Sequence, residues 1–199
     1  ILSQSYRNIE LIAVDDGSTD DTARILNEYI PIFTENGMEL KYIYQDNLGL
    51  GGAINTGLKH ITGQFLCWSD PDDFYYPDAM SKRLRILLDN PEYGIVTCEA
   101  NVVNFDSPEI PVGKETDNPL TRDDPNQFEY MLNGKSLFCA GCHMIRMSSF
   151  DDANPNRVIY PSRKGQNLQM LLPVYYKYKR IFLKEPLYAY VIYKNSMSH

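Results

Sequence analysis

Ile9-Glu10-Leu11-Ile12-Ala13-Val14-Asp15-Asp16-Gly17-Ser18-Thr19-Asp20-Asp21 is the stretch that decides the fold. An apolar, strand-like run ends on two carboxylates, and turn and N-cap residues follow at once. Ala23, Ile25, Leu26, Tyr29 and Ile30 then keep helical spacing, which predicts a helix through about Tyr29. The pattern returns at Gln64-Phe65-Leu66-Cys67-Trp68, which runs into Ser69-Asp70-Pro71-Asp72-Asp73. Carboxylates this close repel one another unless a hard cation sits among them, and oxygen-rich sites suit Mg²⁺ or Mn²⁺. Two strands of one α/β sheet that end in acid place both groups along the edge where such sheets bind ligands. The residues therefore point to a metal-dependent enzyme acting on a phosphorylated ligand.

Outward from these two stretches the chain alternates strand and helix. Asn36-Gly37 marks a turn and Glu39 to Tyr44 alternates as a strand. Asn47-Leu48-Gly49-Leu50-Gly51-Gly52 leads into a helix around Ala53 to His60. Pro77 starts another helix, with Met80, Leu84, Leu87 and Leu88 on its apolar face, and Ile95 to Ala100 is the next strand. This order implies βαβ units and a largely parallel sheet. Asn104 to Pro125 reads as a long loop or hairpin excursion. Beyond it the sequence predicts helices near Asn126 to Leu132 and Arg163 to Lys179, the latter interrupted by Pro173. It also predicts a strand over Ser136 to Ile145 and a last strand pair, Arg180 to Leu183 and Leu187 to Tyr193. Ile1 to Tyr6 reads as the end of a helix, so the expected first strand of the sheet lies outside the chain, leaving an edge to be filled or covered, self-association being one way.

The bulk numbers narrow the function. A chain of 199 residues, 43% hydrophobic, builds a full core. Its formal charge of −7 argues against general nucleic-acid binding. No run reaches the roughly 20 apolar residues of a membrane span. Cys67, Cys98, Cys139 and Cys142 read as reduced, mostly buried thiols, which fits a cytoplasmic protein. Cys139-Ala140-Gly141-Cys142-His143 lacks the second ligand pair of a structural zinc site. Lys177, Lys179, Arg180 and Lys184 form a local basic cluster suited to a lipid-linked phosphate or to peripheral contact with the inner face of a membrane, a solvated face being the plainer reading. Tyr160, Tyr175, Tyr176, Tyr178, Tyr188 and Tyr190 are candidates to stack on sugar rings, or to complete a core.

Several ordered pieces together resemble the inverting GT-A glycosyltransferases of family 2. Ser3-Gln4-Ser5-Tyr6-Arg7-Asn8-Ile9-Glu10 with Val14-Asp15-Asp16-Gly17-Ser18-Thr19-Asp20 is similar to the family's nucleotide-binding block. Asn47 through Gly57 is similar to its second block, Asp70-Pro71-Asp72-Asp73 to its DxD motif, and Glu185 to Tyr190, ending in Ser196-Met197-Ser198-His199, to its closing segment. The resemblance implies a Rossmann-like GT-A sheet flanked by helices, with residues 1–103 as a nucleotide-sugar-binding half, its first strand absent, and residues 104–199 as a smaller, mixed acceptor-binding half. It implies transfer of a sugar, with inversion, from a nucleoside diphosphate sugar to a glycan, lipid-linked or protein acceptor, as in polysaccharide biosynthesis. Asp15, Asp16, Gly17, Ser18, Asn47, Gly49, Asn55 and Asp70 are the implied nucleotide-sugar contacts, and Asp70, Asp72 and His199 the implied ligands of Mn²⁺ or Mg²⁺. For Asp15 and Asp16 the alternative is turn formation and N-capping alone.

Two positions depart from the family pattern. Ile54 stands where many relatives carry Arg. Gln166 and Asn167 stand where relatives often place a Glu-Asp pair containing the catalytic base, and amides do not take protons near neutral pH. Asp151, Asp152 and Glu99 are the substitute candidates, and an already ionised acceptor is another solution. A nucleotide-sugar-binding domain without turnover, and a sugar nucleotidyltransferase, are the competing readings.

Overall fold

The computed structural model describes residues 1–162 and 164–193. His199 lies outside the described residues, as does Arg163 at the head of the predicted helix. The first strand, β1 (Glu10–Asp16), pairs in parallel with β2 (Glu39–Gln45) across the helix α1 (Thr22–Glu35). The glycine-rich entry forms α2 (Gly49–His60) and leads to the short strand β3 (Phe65–Leu66). Glu10 holds the start of this unit: it pairs with Lys41 at 2.8 Å and accepts the Thr62 and Gly63 amides, both at 2.6 Å.

The second sheet runs in the order β3, β7 (His143–Arg146), β5 (Tyr93–Asn104), β8 (Lys179–Ile192), β4 (Phe74–Tyr75), with β6 (Ser107–Glu115) pairing β5. Pairing is parallel between β1 and β2 and between β5 and β8, but β3–β7, β5–β7, β4–β8 and β5–β6 are antiparallel, so the strands form mixed sheets rather than the expected largely parallel one. Alternation along β5 sorts the core into two layers. Ile95 faces the layer of Leu58, Phe150, Met170, Leu171 and Val174, from α2, α5 (Met147–Ala153) and α6 (Gln166–Lys177). Val96, Cys98 and Ala100 face α3 (Ala79–Asp89) through Ala79, Met80 and Leu87. The free edges of β1 and β3 face a cavity of about 890 Å³, lined by Leu11, Ile12, Leu58, Phe65, Leu66 and Met80 among others.

Most predicted elements stand where the sequence put them, the hairpin excursion after Asn104 included, and four differ, the first being Ile1 to Tyr6, which is turn and irregular chain rather than a helix end. The excursion after Asn104 is an antiparallel hairpin arm, β6, followed by an irregular segment, then α4 (Phe128–Leu132). The predicted strand over Ser136 to Ile145 opens as irregular chain and one 3₁₀ turn, Ala140–Cys142, before β7 begins. The predicted last strand pair is a single long strand, β8, whose register against β5 slips between Cys98 and Ala100. Helix α6 runs through Pro173. Gly141 shows how tightly the 3₁₀ turn packs: a Cβ there would sit 2.0 Å from the Tyr188 ring, so only glycine fits.

Candidate active site

Asp15 is buried at the end of β1 and closes the turn into α1. Its Oδ1 accepts the Ser18 amide at 2.8 Å and its Oδ2 the Tyr42 hydroxyl at 2.7 Å. The Ser18 hydroxyl and amide, then Tyr42, hold its carboxyl below the usual carboxylate range, while Tyr42 is pushed up to about 12 by the same bond. Gly17, at φ +84°, lets the chain turn directly against Asn47, whose backbone nitrogen would lie 3.0 Å from an added Cβ.

Asp16 points over the top of β2. Its Oδ1 accepts Nε2 of Gln45, its register partner, at 2.5 Å and the Leu48 amide at 2.8 Å; Thr56 in turn donates to Gln45 at 2.5 Å. Its Oδ2 has no partner among the described residues, which leaves it one free acceptor on the sheet edge. Asn47 Oδ1 accepts the Gly49 amide at 3.2 Å, bending the loop into α2. Gly49 itself, at φ +75°, opens to free space.

Asn55 spends both ends of its amide on protein. Nδ2 donates to the Ile159 carbonyl at 2.9 Å and Oδ1 accepts the Ile159 amide at 2.8 Å, clamping α2 to the segment before α6. Asn55→Ala is therefore expected to cost about 1–3 kcal/mol in urea unfolding, the penalty for orphaned buried groups. Nucleotide affinity is expected to stay within about twofold of the parent on an order-of-magnitude view of an indirect effect. A loss of affinity at unchanged stability would make Asn55 a ligand contact instead.

The acidic loop divides its three carboxylates between two tasks. Asp73 is the anchor: Oδ2 accepts the Tyr188 hydroxyl at 2.6 Å and Oδ1 the Val191 amide at 2.8 Å, both from β8. Asp70 and Asp72 have no side-chain partner among the described residues. Loss of hydration, and then the charge of Asp72, push the Asp70 carboxyl up. The described residues contain no group of three or more His, Cys, Asp or Glu able to hold a metal by themselves. Two free carboxylates nevertheless suit Mg²⁺ or Mn²⁺, which bind through one or two carboxylates together with substrate phosphates and water.

Behind this loop stands Trp68, the single tryptophan of the chain. Its indole Nε1 donates to Asn167 Oδ1 on the first turn of α6 at 3.0 Å, across 99 positions of sequence. Its ring stacks on His143 with centroids 6.3 Å apart and planes inclined by 21°. His143 is fully buried, donates Nδ1–H to the Cys139 carbonyl at 2.9 Å, and leaves Nε2 without a partner among the described residues. Burial first, with Arg180 and Arg83 nearby, pulls its pKa down to about 3.

The imidazole is therefore neutral in the folded protein while the unfolded chain protonates it near pH 6.5. Between those values the unfolded state binds the extra proton, so stability falls as pH falls below about 6.5. From pH 7 to pH 5 the parent is expected to lose about 2 kcal/mol more than His143→Gln, which does not titrate there. Urea unfolding at both pH values checks this; equal losses would place the proton elsewhere.

The three substitute bases are already committed. Glu99 is buried on β5 among Thr116, Lys114 and Arg122. Asp151 pairs with Arg157 at 2.7 Å and Asp152 with Lys177 at 3.0 Å. Gln166 is buried and donates to the Ser162 carbonyl at 2.6 Å. Three of the four members of the basic cluster are paired in the same way, Lys177 with Asp152, Arg180 with Asp117 and Lys184 with Asp123, while Lys179 is exposed. Among the tyrosines, Tyr175 and Tyr188 are buried core, whereas Tyr160 and Tyr176 are 75% and 71% exposed.

Sequence reasoning missed Gln45 and Thr56 behind Asp16, Tyr188 as the partner of Asp73, and the bond from Trp68 to Asn167. Gln45 was findable, since a parallel pairing of the two strands sets it beside Asp16. Tyr188 and Trp68 find their partners only through long-range packing.

Comparison with known proteins gives the family and the fold. The family described as "Glycosyl transferase family 2" matches residues 1–154. An uncharacterized glycosyltransferase of Rickettsia conorii is 30% identical over 80% of the chain, which spans 26% of that protein. Glycosyltransferase GlyA of Streptococcus pneumoniae is 29% identical over the whole chain and 28% of its own length. The putative glycosyltransferase EpsE of Bacillus subtilis is 29% identical over 94% of the chain and 64% of its own length. Among solved structures, S. aureus TarS 1–349 in complex with UDP superposes with a TM-score of 0.71 at 16% identity, covering 96% of the chain and 54% of TarS. The Pyrobaculum calidifontis mannosyltransferase PcManGT, in complex with GDP-Man and Mn²⁺, gives 0.66 at 16% identity, over 98% and 51%. Both are similar in fold. With that family match over residues 1–154 and this fold, the chain is a member of glycosyl transferase family 2, with a GT-A-like fold.

Proposed function

We propose that the protein containing this chain transfers a sugar from a nucleoside diphosphate sugar to a glycan, lipid-linked or protein acceptor, inverting the anomeric centre. The observation that carries this reading is the division of labour in Ser69 to Asp73: one carboxylate fixes the loop to β8 and two stay free. Asp70 and Asp72 would hold Mg²⁺ or Mn²⁺ against the diphosphate, and Asp16, through its free oxygen, the nucleoside side. The metal would supply Lewis-acid stabilisation of the departing nucleoside diphosphate. Gly17 and Gly49 allow backbone to come close to the ligand, and Asp15, Ser18 and Asn47 shape the turns that carry it. TarS was solved with UDP-GlcNAc and PcManGT with GDP-Man and Mn²⁺, which supports a nucleotide-sugar donor and a divalent ion here.

No helix among the described residues is long and apolar enough to cross a membrane. A cytoplasmic setting, with the acceptor brought from solution or from a membrane face, is part of the same proposal. The test is release of nucleoside diphosphate from a panel of nucleotide sugars with Mn²⁺ and with chelator. Metal-dependent release from one donor supports transfer. Metal-dependent binding without release supports the second reading, a nucleotide-sugar-binding domain, which the amides at 166 and 167 favour. Absence of both refutes the proposal.

A further inference from the structure

Asn167 carries an orientation that its neighbour imposes. An indole N–H only donates, so the oxygen of the Asn167 amide must face Trp68, and Nδ2 with its two N–H groups must face away. That nitrogen has no protein partner among the described residues, and the side chain is half-buried. It stands on the first turn of α6, where the first intrahelical bond runs from Gln169 to Gly165. The earlier amides of that turn add N–H groups without an intrahelical partner among the described residues, and the positive end of the helix dipole. Trp68 lies two positions before Asp70, so one hydrogen bond ties this donor group to the acidic loop. Glu99, Asp151 and Asp152 are all held in ion pairs. The α6 face of the site thus offers donors and, on Asn167, no proton acceptor.

We propose that Asn167 is a donor-type positioning residue whose Nδ2 holds a phosphoryl oxygen of the donor's diphosphate, opposite the carboxylates of Asp70 and Asp72. The assignment rests on the nucleotide-sugar reading above. It replaces proton abstraction at this position with recognition of an oxyanion that arrives fully ionised, so no bond to hydrogen is broken by Asn167.

The experiment is titration of the protein with Mg²⁺-pyrophosphate, a probe independent of nucleobase and sugar, read by the emission of Trp68. Asn167→Asp keeps an oxygen for the indole N–H and exchanges the donor for a carboxylate; Asn167→Ala removes both. The parent is expected to saturate. Asn167→Asp is expected to bind at least about tenfold more weakly, the order of a lost hydrogen bond to a charged group. Its loss should be the same at about pH 6 and pH 8, because an aspartate carboxyl with an ordinary value near 3.9 is ionised at both, and the thermal midpoint should be unchanged.

Equal affinity in parent and Asn167→Asp overturns the proposal. So does a gain in sugar transfer by Asn167→Asp that grows with pH, which would mark a position that wants a base. Unchanged pyrophosphate affinity with lost affinity for a phosphate monoester such as octyl phosphate would also overturn it, by moving the contact to the acceptor. A parent that responds to neither pyrophosphate nor any nucleoside diphosphate with Mg²⁺ would instead refute the nucleotide-sugar reading beneath it.

Discussion

Asp72→Asn is expected to lower metal-dependent nucleoside diphosphate release by about a thousandfold and to leave the thermal midpoint within roughly 2 °C of the parent. The two halves of this expectation come from one fact. Asp72 is exposed and makes no side-chain hydrogen bond or ion pair among the described residues, so the fold does not depend on it. A carboxylate left free beside Asp70, whose own carboxyl is pushed up by lost hydration and by that neighbour, is the one proposed above to hold the ion. Lewis-acid stabilisation is worth several kcal/mol, and each 1.4 kcal/mol or so is a decade in rate.

Asp73→Asn supplies the contrast. Asp73 takes the Tyr188 hydroxyl and the Val191 amide, so its substitution should lower stability by about 1–3 kcal/mol, with activity following the fraction folded. Parallel melting curves and release assays separate the two variants. If Asp72→Asn retains full metal-dependent turnover, the ion is held elsewhere and Asp70 and Asp72 lose their proposed role. If it unfolds, the carboxylate was structural after all.

What could be seen in the sequence followed the range of the interaction. The strand from Glu10 and the helix from Thr22 are local, set by apolar period and by turn residues, and both stand where they were expected. The acidic end of β1 stands where the sequence puts it, whereas β3 stops at Leu66, short of the acidic loop, and belongs to the other sheet. The partners of those acids were legible only where pairing is simple: Gln45 beside Asp16 follows from parallel register. Asp73 with Tyr188 spans 115 positions, Asn55 with Ile159 spans 104, and Trp68 with Asn167 spans 99. No periodicity carries such information, so motif reasoning alone could not tell the free carboxylates Asp70 and Asp72 from the committed Asp73. The same limit applies to Glu99, Asp151 and Asp152, which were offered as bases because they are acids. Only the fold shows that Arg and Lys side chains already occupy them.

Asp117→Ala is expected to be the most destabilising of these substitutions, by about 3–5 kcal/mol, because it leaves a buried guanidinium unpaired. Asp117 and Arg180 form an ion pair whose side chains are 1% and 0% exposed. Asp117 also accepts the Leu137 amide, and Arg180 donates to the Arg122 carbonyl at 2.7 Å and stacks over Phe182 at 5.0 Å. The backbone joins in, with the Arg180 amide donating to the Pro125 carbonyl at 2.9 Å. Together these contacts weld the irregular segment after β6 to the start of β8, the strand that also carries the Asp73 anchor.

Against a total stability of roughly 5–15 kcal/mol, the loss should lower the thermal midpoint by about 6–20 °C. Burying a charge costs much of what pairing it returns, so a matched apolar replacement should behave differently from a broken pair. The double variant Asp117→Leu with Arg180→Met is therefore expected to recover much of what Asp117→Ala loses, short of the Leu137 amide and Arg122 carbonyl it strands. Denaturant unfolding of the single and double variants gives the comparison directly. A single variant within about 1 kcal/mol of the parent would show that water reaches the pair. A double variant as unstable as the single would assign the cost to those two backbone groups rather than to the charge, and the ion pair would be secondary to the hydrogen bonds around it.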